Sequence, residues 1–509
     1  MAGPDHQNRR SRSQKRPVGA LLLICAVLAA GAVWRLLGSS GPDTSERGGQ
    51  AATDSSNRPT ASVVIFLIDT LRADRLGTYG YSRMTSPQMD ALATRGVVFE
   101  QCNAPAPWTL PSVVSLLTST FPCEHGVVVD GQKIARSLEP LAWRLKRVGY
   151  ATASFYANAY AGVMSGLDRG FDHRLSKPAI SGEDVGPWLD GLGGRPFFLY
   201  IHNIEPHNPY NAPDRLVQLF GRVPPGTKHA ARRRLLQYRQ LTRVDFAAGR
   251  PVGTTDNTAE QDRAMRRIAE LQDDINVLYD AAVRQADENL GSVIEALRRR
   301  GLWDQTLFIV LSDHGEEFGE RGGWQHDQSV YEELVRVPLI VRFPGGRFAG
   351  GRISEVVTLV DILPTIFDYL GRRDLSSGCR GRSLVPLIRG EPLGGPEEPI
   401  VTSVRINRKK YYRPYRQTRG DVNVVVRRGA WKGIWNVDVQ TFELYDLSRD
   451  PAERSSATSQ EPELAATMHR YAQDWLERCR LSGGQATPSG VEGLDEDTLE
   501  SLRSLGYVD

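Results

Sequence analysis

Residues 63–70, VVIFLIDT, decide the fold. Six consecutive apolar residues, four of them β-branched, stop at Asp69. A run this short and this apolar reads as a strand buried on both faces, as in parallel sheets. The same texture returns in ATASFY (151–156), FFLYI (197–201), LFIVLS (307–312) and VPLIVRF (337–343). Between these runs stand helical segments: SPQMDALATRG (86–96), LEPLAWRLKRVG (138–149) and LYDAAVRQADENLGSVIEALRRRG (278–301). The first and last of them end at a Gly suited to a helix C-cap. The alternation predicts an α/β domain in which helices sandwich a mostly parallel sheet.

Working outward, residues 61–390 form the predicted catalytic domain. Residues 214–275 are polar and basic (KHAARRRLLQYRQLTR, then GRPVGTTDNTAEQDRAMRR) and interrupt the strand rhythm, so they read as a helical or loop insertion near the site entrance. Beyond residue 391 the strands shorten (DVNVVVRRGAWKGIWNV, FELYDL) and one helix follows near EPELAATMHRYAQDWLERC, which predicts a small α+β subdomain over 391–485 and a tail over 486–509.

The N-terminus differs in kind. The first 35 residues carry six Lys/Arg against one acid, Asp5, so the rest of the chain is at −2 against the formal +3 of the whole. A near-neutral body lacks the basic footprint of a nucleic-acid partner. The basic run precedes seventeen apolar residues, VGALLLICAVLAAGAVW (18–34). This length lies at the lower limit of a membrane span and above the usual signal core. The expectation is a basic cytoplasmic tail (1–17), a transmembrane anchor or signal (18–37) and a flexible linker (38–60). A single anchor in the inner or plasma membrane places the catalytic domain on the periplasmic or extracellular side, and cleavage near Ala30-Gly31-Ala32 makes the protein secreted. Cys102, Cys123, Cys379 and Cys479 are able to pair in an oxidising compartment, in combinations that sequence leaves open, and they show no CxxC metal spacing.

In open α/β sheets ligands gather beyond the carboxyl ends of the strands. Here VVIFLI delivers Asp69, FFLYI delivers His202, Glu205 and His207, and LFIVLS delivers Asp313 and His314, with His326 following in GGWQHD. A single strand-end Asp usually caps a helix, and a lone His is usually a satisfied polar residue. Three strands presenting metal-ligand types at one edge outweigh that reading. Thr109 precedes a Pro-started apolar helix, WTLPSVVSLLTS, whose N-terminal N–H groups favour an anion. Beside a metal its hydroxyl becomes a nucleophile.

The stretches IDTLRADRLGTYGY (68–81), APWTLPSVVSLLTSTFPCEHGV (106–127), FLYIHNIEPHNPYNAP (198–213), LSDHGEEFGERGGWQHD (311–327), YEELVRVPLIVRFPG (331–345), TLVDILPTIFDYLG (358–371) and FELYDLSRDPAER (442–454) occur in one order. In them the chain resembles a sulfatase-like member of the alkaline-phosphatase superfamily. The resemblance implies that superfamily's fold and an ester hydrolase or transferase. It implies a divalent metal on Asp69, Thr109, Asp313 and His314, Thr109 as nucleophile, and His207 and His326 against the transferred group or leaving oxygen.

Two departures shape the expectation. Formylglycine-dependent sulfatases carry Cys or Ser in a C-x-P-S-R pattern, whereas this chain has Thr109-Leu110-Pro111-Ser112-Val113. Thr cannot become that aldehyde hydrate, so no formylglycine is expected. Thr70 stands where many sulfatases place a second acidic ligand. A set with imidazole suits zinc or manganese better than calcium or magnesium. The set is similar to phosphoethanolamine transferases and to phosphonate or phosphodiester hydrolases, and predicts phosphate or phosphonate ester chemistry through a phospho-threonine. The substrate is an ester, in an anionic lipid, glycan or polymer. The alternatives are a sulfuric ester hydrolase proper, a two-metal phosphodiesterase using Glu205, His207 and His326, and an inactive surface binding protein.

Overall fold

The computed structural model describes residues 61–488 apart from 225, 243, 246–249, 252–257, 322, 394–399, 407–421 and 483–485. Its main sheet has eight strands: β1 Ser62–Ile68, β2 Val97–Asn103, β3 Ala151–Tyr156, β4 His173–Ser176, β5 Phe197–Asn203, β6 Thr306–Ser312, β7 Arg336–Arg342 and β8 Gly351–Thr358. They lie in the order β8-β2-β7-β6-β1-β5-β3-β4. Neighbours pair in parallel except at β7, which runs antiparallel to both β2 and β6.

The described helices of seven or more residues are α1 Pro87–Ala93, α2 Thr109–Thr118, α3 Gly182–Asp190, α4 Asp214–Phe220, α5 Thr227–Thr242, α6 Thr258–Ala269, α7 Gln272–Arg299, α8 Ile362–Tyr369 and α9 Pro462–Ser482. Helices other than α9 cover both faces of the sheet, and β1 shows why its apolar run is continuous. Val63, Ile65 and Leu67 pack with Leu110 and Val113 of α2 and with Ile362 of α8. Val64, Phe66 and Ile68 pack on the opposite side with Leu290 and Val293 of α7 and Val185 of α3. Alternate side chains point to opposite faces, so burial on both requires every position to be apolar. Burying each such Val, Ile, Leu or Phe contributes roughly 1.5–3 kcal/mol. The length of α7 follows from its buried stripe of Leu278, Ala282, Ala286, Leu290, Val293 and Leu297. It stops where Gly301 takes a left-handed φ of 67°.

The C-terminal sheet is antiparallel: β9 Ile400–Ile406, β10 Val422–Arg428, β11 Trp431–Asn436 and β12 Thr441–Asp446, in chain order. Val424, Val426 and Leu444 bury against Met468, Ala472 and Leu476 of α9. A disulfide joins Cys123, just beyond α2, to Cys479 in α9, while Cys102 and Cys379 are unpaired. A buried charge cluster makes a second tie. Lys432 Nζ lies 2.9 Å from Glu332 Oε1 and 2.9 Å from Glu453 Oε1. Glu332 N–H donates to Glu453 Oε2 at 2.7 Å. Burial raises the Glu332 carboxyl, but Lys432 and Arg427 outweigh it and hold it at about 2.

The single N-terminal anchor is corrected. Among the described residues no helix is long and apolar enough to cross a membrane, and the expected tail, anchor and linker over 1–60 lie outside the described residues, as does most of the 486–509 tail.

Replacing Lys432 by Met takes from two buried carboxylates the cation they share, leaving Glu332 with Arg427 at 3.7 Å and Glu453 with Arg321 at 3.6 Å. Urea denaturation is expected to show a loss of about 3–5 kcal/mol, and parental stability in that variant would show that the cluster does not tie the two sheets.

Candidate active site

The site forms where β1, β5 and β6 end side by side. Their parallel register aligns Leu67 with His202 and Ile68 with Ser312, so residues at or just past the three strand ends reach one edge. Asp69 leaves β1 with its N–H donated to Asn203 O at 2.9 Å. Thr70 then takes φ 58° and donates its hydroxyl to Asp69 O, 2.7 Å away. Tyr279 of α7 holds this turn from below, its hydroxyl donating to Thr70 O at 2.7 Å. Ser112 Oγ of α2 donates to Asp313 O at 2.6 Å and fixes the helix against the end of β6.

Asp69, His202 and Asp313 are fully buried, and each offers a ligand atom within 4.8 Å of the other two. Asp69 Oδ1, Asp313 Oδ2 and both His202 ring nitrogens have no hydrogen-bond partner. Buried polar atoms are nearly always satisfied, so two converging carboxylates with orphaned oxygens fit a bound cation. Sequence reasoning placed His202 at this edge without assigning it to the metal. The structure puts its Nε2 3.4 Å from Asp69 Oδ2. The signal that would have found it is the last stretch of β5, which runs two residues beyond the apolar run and turns residue 202 to the same face as Tyr200.

The other site residues converge here too. Thr109 is the first residue of α2, with Trp108 as its cap. Its Oγ1 lies 3.5 Å from Asp69 Oδ2 and 3.3 Å from His314 Nε2. His314 Nε2 is in turn 3.4 Å from Asp69 Oδ1 and 3.5 Å from Asp313 Oδ2. The ring of His326 sits 4.5 Å from that of His314 and 5.1 Å from that of His207. Three of the four imidazoles are anchored through Nδ1: His314 to Gly315 O at 2.8 Å, His207 to Asn208 O at 2.6 Å, and His326 to Glu316 Oε1 at 3.1 Å. Glu205 does not join His207 and His326. Its carboxylate accepts from Gln285 Nε2 of α7 at 3.1 Å, and Glu316, which sequence reasoning missed, is the acid that meets His326.

The electrostatics follow from burial and from the charges that face one another. Burial raises the Asp69 carboxyl, but His202, His207 and His314 hold it well below the usual carboxylate range. Burial and the charge of Asp69 push Asp313 up to about 6. Burial lowers His314, but Asp313 and Asp69 outweigh it and hold it at about 9. Backbone strain gathers at the same place. Gln325 (φ 69°) and Asp327 (φ 85°) flank His326, and Asp327 N–H donates to Pro107 O at 3.0 Å, pinning the His326 loop to the approach to Thr109. Such non-glycine conformations cost about 1–3 kcal/mol each and cluster at functional sites.

Residues 61–372 match the family model described as Sulfatase. The chain belongs to the sulfatase family. A second model, N-sulphoglucosamine sulphohydrolase, C-terminal, matches residues 319–478. The chain is 23% identical to the N-acetylglucosamine-6-O-sulfatase of Bacteroides thetaiotaomicron, over 78% of this chain and 82% of that protein. It is 24% identical to the choline-sulfatase of Rhizobium meliloti, over 77% and 81%. The phosphonate monoester hydrolase of Agrobacterium radiobacter shares its fold at a TM-score of 0.61 and 22% identity, over 83% of this chain and 95% of that one. The protein is thus a sulfatase-like ester hydrolase of the alkaline-phosphatase superfamily, with an α/β fold and a small C-terminal sheet. Enzymes of the family bind a divalent metal, and the Asp69, His202 and Asp313 cluster fits one.

After equilibrium dialysis, Asp313→Asn and Asp69→Asn are each expected to retain at least about tenfold less zinc or manganese than the parent. Elemental analysis reads the difference, and parental metal content in both would remove them from the ligand set.

Proposed function

We propose that the protein cleaves phosphate or phosphonate esters through Thr109, with Asp69, His202, Asp313 and His314 holding a divalent metal, zinc or manganese in preference to calcium or magnesium. One observation carries this reading: Thr109 Oγ1 stands at the first turn of a wholly buried helix, within 3.5 Å of both Asp69 and His314. When bound, the metal supplies a Lewis acid that polarises the ester and makes the Thr109 hydroxyl more acidic.

The chain's own residues do the rest. Thr109 Oγ1 passes its proton to Asp69 Oδ2, 3.5 Å away, and attacks in line, its bond to phosphorus forming as the ester bond opposite breaks, and the N-terminal N–H groups of α2 favour the charge on the transferred group. His326, oriented by Glu316, and His207 are the groups that protonate the leaving oxygen or offset its charge. Water or an acceptor alcohol then displaces Thr109 from the phospho-threonine. The chemistry is assigned to residues 61–390, with the helices of 214–275 near the entrance and the 391–485 subdomain as a brace. Thr109 has no route to the aldehyde hydrate of formylglycine, which favours phosphoryl over sulfuryl transfer.

A second reading, a sulfuric ester hydrolase acting on a sulfated glycan, is favoured by the similarity to the N-acetylglucosamine-6-O-sulfatase. A panel of aryl sulfate, phosphate monoester, phosphodiester and phosphonate monoester separates the two. Thr109→Ala is expected to lose about 10²–10⁴-fold in kcat/KM on the best substrate, with Thr109→Ser far less affected. Near-parental turnover by Thr109→Ala would refute the nucleophile, and turnover confined to aryl sulfate would establish the second reading.

A further inference from the structure

The N–H groups from Asp69 to Arg72 all donate to other elements. Asp69 N–H donates to Asn203 O at 2.9 Å, Thr70 N–H to Asp313 Oδ1 at 3.4 Å, Leu71 N–H to Ser312 Oγ at 2.9 Å and Arg72 N–H to Tyr279 Oη at 3.1 Å. Buried backbone donors need partners, so these bonds fix where the turn behind Asp69 lies.

Ser312 stands apart among the acceptors because it reaches a second loop. It is the last residue of β6, fully buried and in register with Ile68. While its Oγ accepts from Leu71 N–H, its hydroxyl donates to His314 O at 2.7 Å. One oxygen atom thereby joins the turn of Asp69 to the loop of Asp313 and His314. Within that loop His314 N–H donates to Asp313 Oδ1 at 3.0 Å. Oδ1 thus holds two N–H groups, and Oδ2 is the oxygen left without a hydrogen-bond partner. Tyr279 works inside the turn, its Oη accepting from Arg72 N–H and donating to Thr70 O at 2.7 Å. Thr70, between these bonds, has φ 58°. A positive φ on a β-branched residue is strained and persists only where the surroundings over-determine it.

We propose that Ser312 is a positioning residue for the metal centre: its hydroxyl sets the separation of the Asp69 and Asp313 carboxylates by locking their loops together, while Tyr279 holds Thr70 in its strained turn. Without that hydroxyl, Leu71 N–H and His314 O lose their shared partner. Thr70 is then freer to relax toward negative φ, carrying Asp69 with it. Ligand geometry tolerates displacements of only about 0.5 Å. The inference rests on Asp69, Asp313 and His314 being metal ligands.

The test measures zinc and manganese dissociation constants by chelator competition, together with melting of the metal-free protein, for Ser312→Ala, Tyr279→Phe and Ser119→Ala. Ser119 is the control. It is equally buried, and its hydroxyl donates to Val360 O at 2.6 Å and accepts from Gly381 N–H at 3.1 Å, but it lies at the far end of α2 from Thr109. Ser312→Ala is expected to weaken metal binding about 10–100-fold. Tyr279→Phe is expected to weaken it less, because the link between the two loops remains. Ser119→Ala is expected to lower the metal-free melting temperature as Ser312→Ala does, yet to bind metal as the parent does. Parental affinity in Ser312→Ala, or an equal loss of affinity in Ser119→Ala, would overturn the inference. If Ser312→Ala does not fold, Tyr279→Phe decides the matter, and parental affinity there has the same consequence. Parental metal binding in both Asp69→Asn and Asp313→Asn removes the ligand assignment. Loss of metal in those two variants with parental binding in Ser312→Ala removes only the present inference.

Discussion

Two buried carboxylates that face one another set the terms for the rest of the molecule. Asp69 and Asp313 are fully buried, with ligand oxygens no more than 4.8 Å apart. Two like charges at that separation repel by about 3–4 kcal/mol even at an effective dielectric near 20. A fold that places them so must supply positive charge, and every neighbouring element contributes. The imidazoles of His202, His207 and His314 stabilise the Asp69 anion, and α2 points its N-terminus at the same spot. The parallel sheet is what makes the convergence possible, because adjacent parallel strands end at one edge and antiparallel ones do not.

The C-terminal sheet bears on the same site from a distance. Its edge strand β9 docks on the segment before Thr109, with Val404 N–H donating to Pro105 O at 2.8 Å and Ser403 Oγ to Ala104 O at 2.5 Å. The short turn at Glu332–Val335 is clamped by Lys432 from that sheet. It accepts from Ala104 N–H through Val335 O at 2.7 Å and from Gly315 N–H through Leu334 O at 2.8 Å. One buried charge cluster thereby braces both the approach to Thr109 and the residue that follows His314. A buried ion network is a poor source of net stability, so its retention is better explained by the register it imposes on these two loops.

Much of this was legible in the sequence because burial on both faces writes itself as a continuous apolar run. VVIFLI and LFIVLS announce strands, and the acid or histidine that ends each run announces the edge. That Thr109 opens a helix was legible from Pro111 and the apolar run behind it. The remainder depends on contacts between distant segments. Strands β2 and β8, VVFEQCN and GRISEVVT, carry polar residues because they lie toward the edge of the sheet, with β8 outermost, so their pattern is diluted. The antiparallel sense of β7 leaves no mark on its composition. Which of four cysteines pair is decided by α9 folding back across residue 123. Glu205 and Glu316 both follow strands, and only packing reveals that α7 takes Glu205 while His326 takes Glu316.

The same logic bears on the ligand set. Thr70 stands where sulfatase-like sites often carry a carboxylate, and with φ 58° it donates its hydroxyl to Asp69 O. On the proposed reading His202 fills that place from the neighbouring strand. The exchange is not neutral in charge. An anionic oxygen ligand becomes a neutral nitrogen ligand, the site becomes less negative by one unit, and the donors become softer. On the same reading a cation held by Asp69, His202, Asp313 and His314 would polarise Thr109 and the ester more strongly, and the softer donors would favour zinc or manganese over calcium. On the same reading a threonine hydroxyl, less acidic than the hydrate of formylglycine, requires the more polarising site to act as nucleophile. On that reading Thr109 and His202 are coupled choices: the weaker nucleophile and the imidazole in place of a carboxylate each make sense of the other.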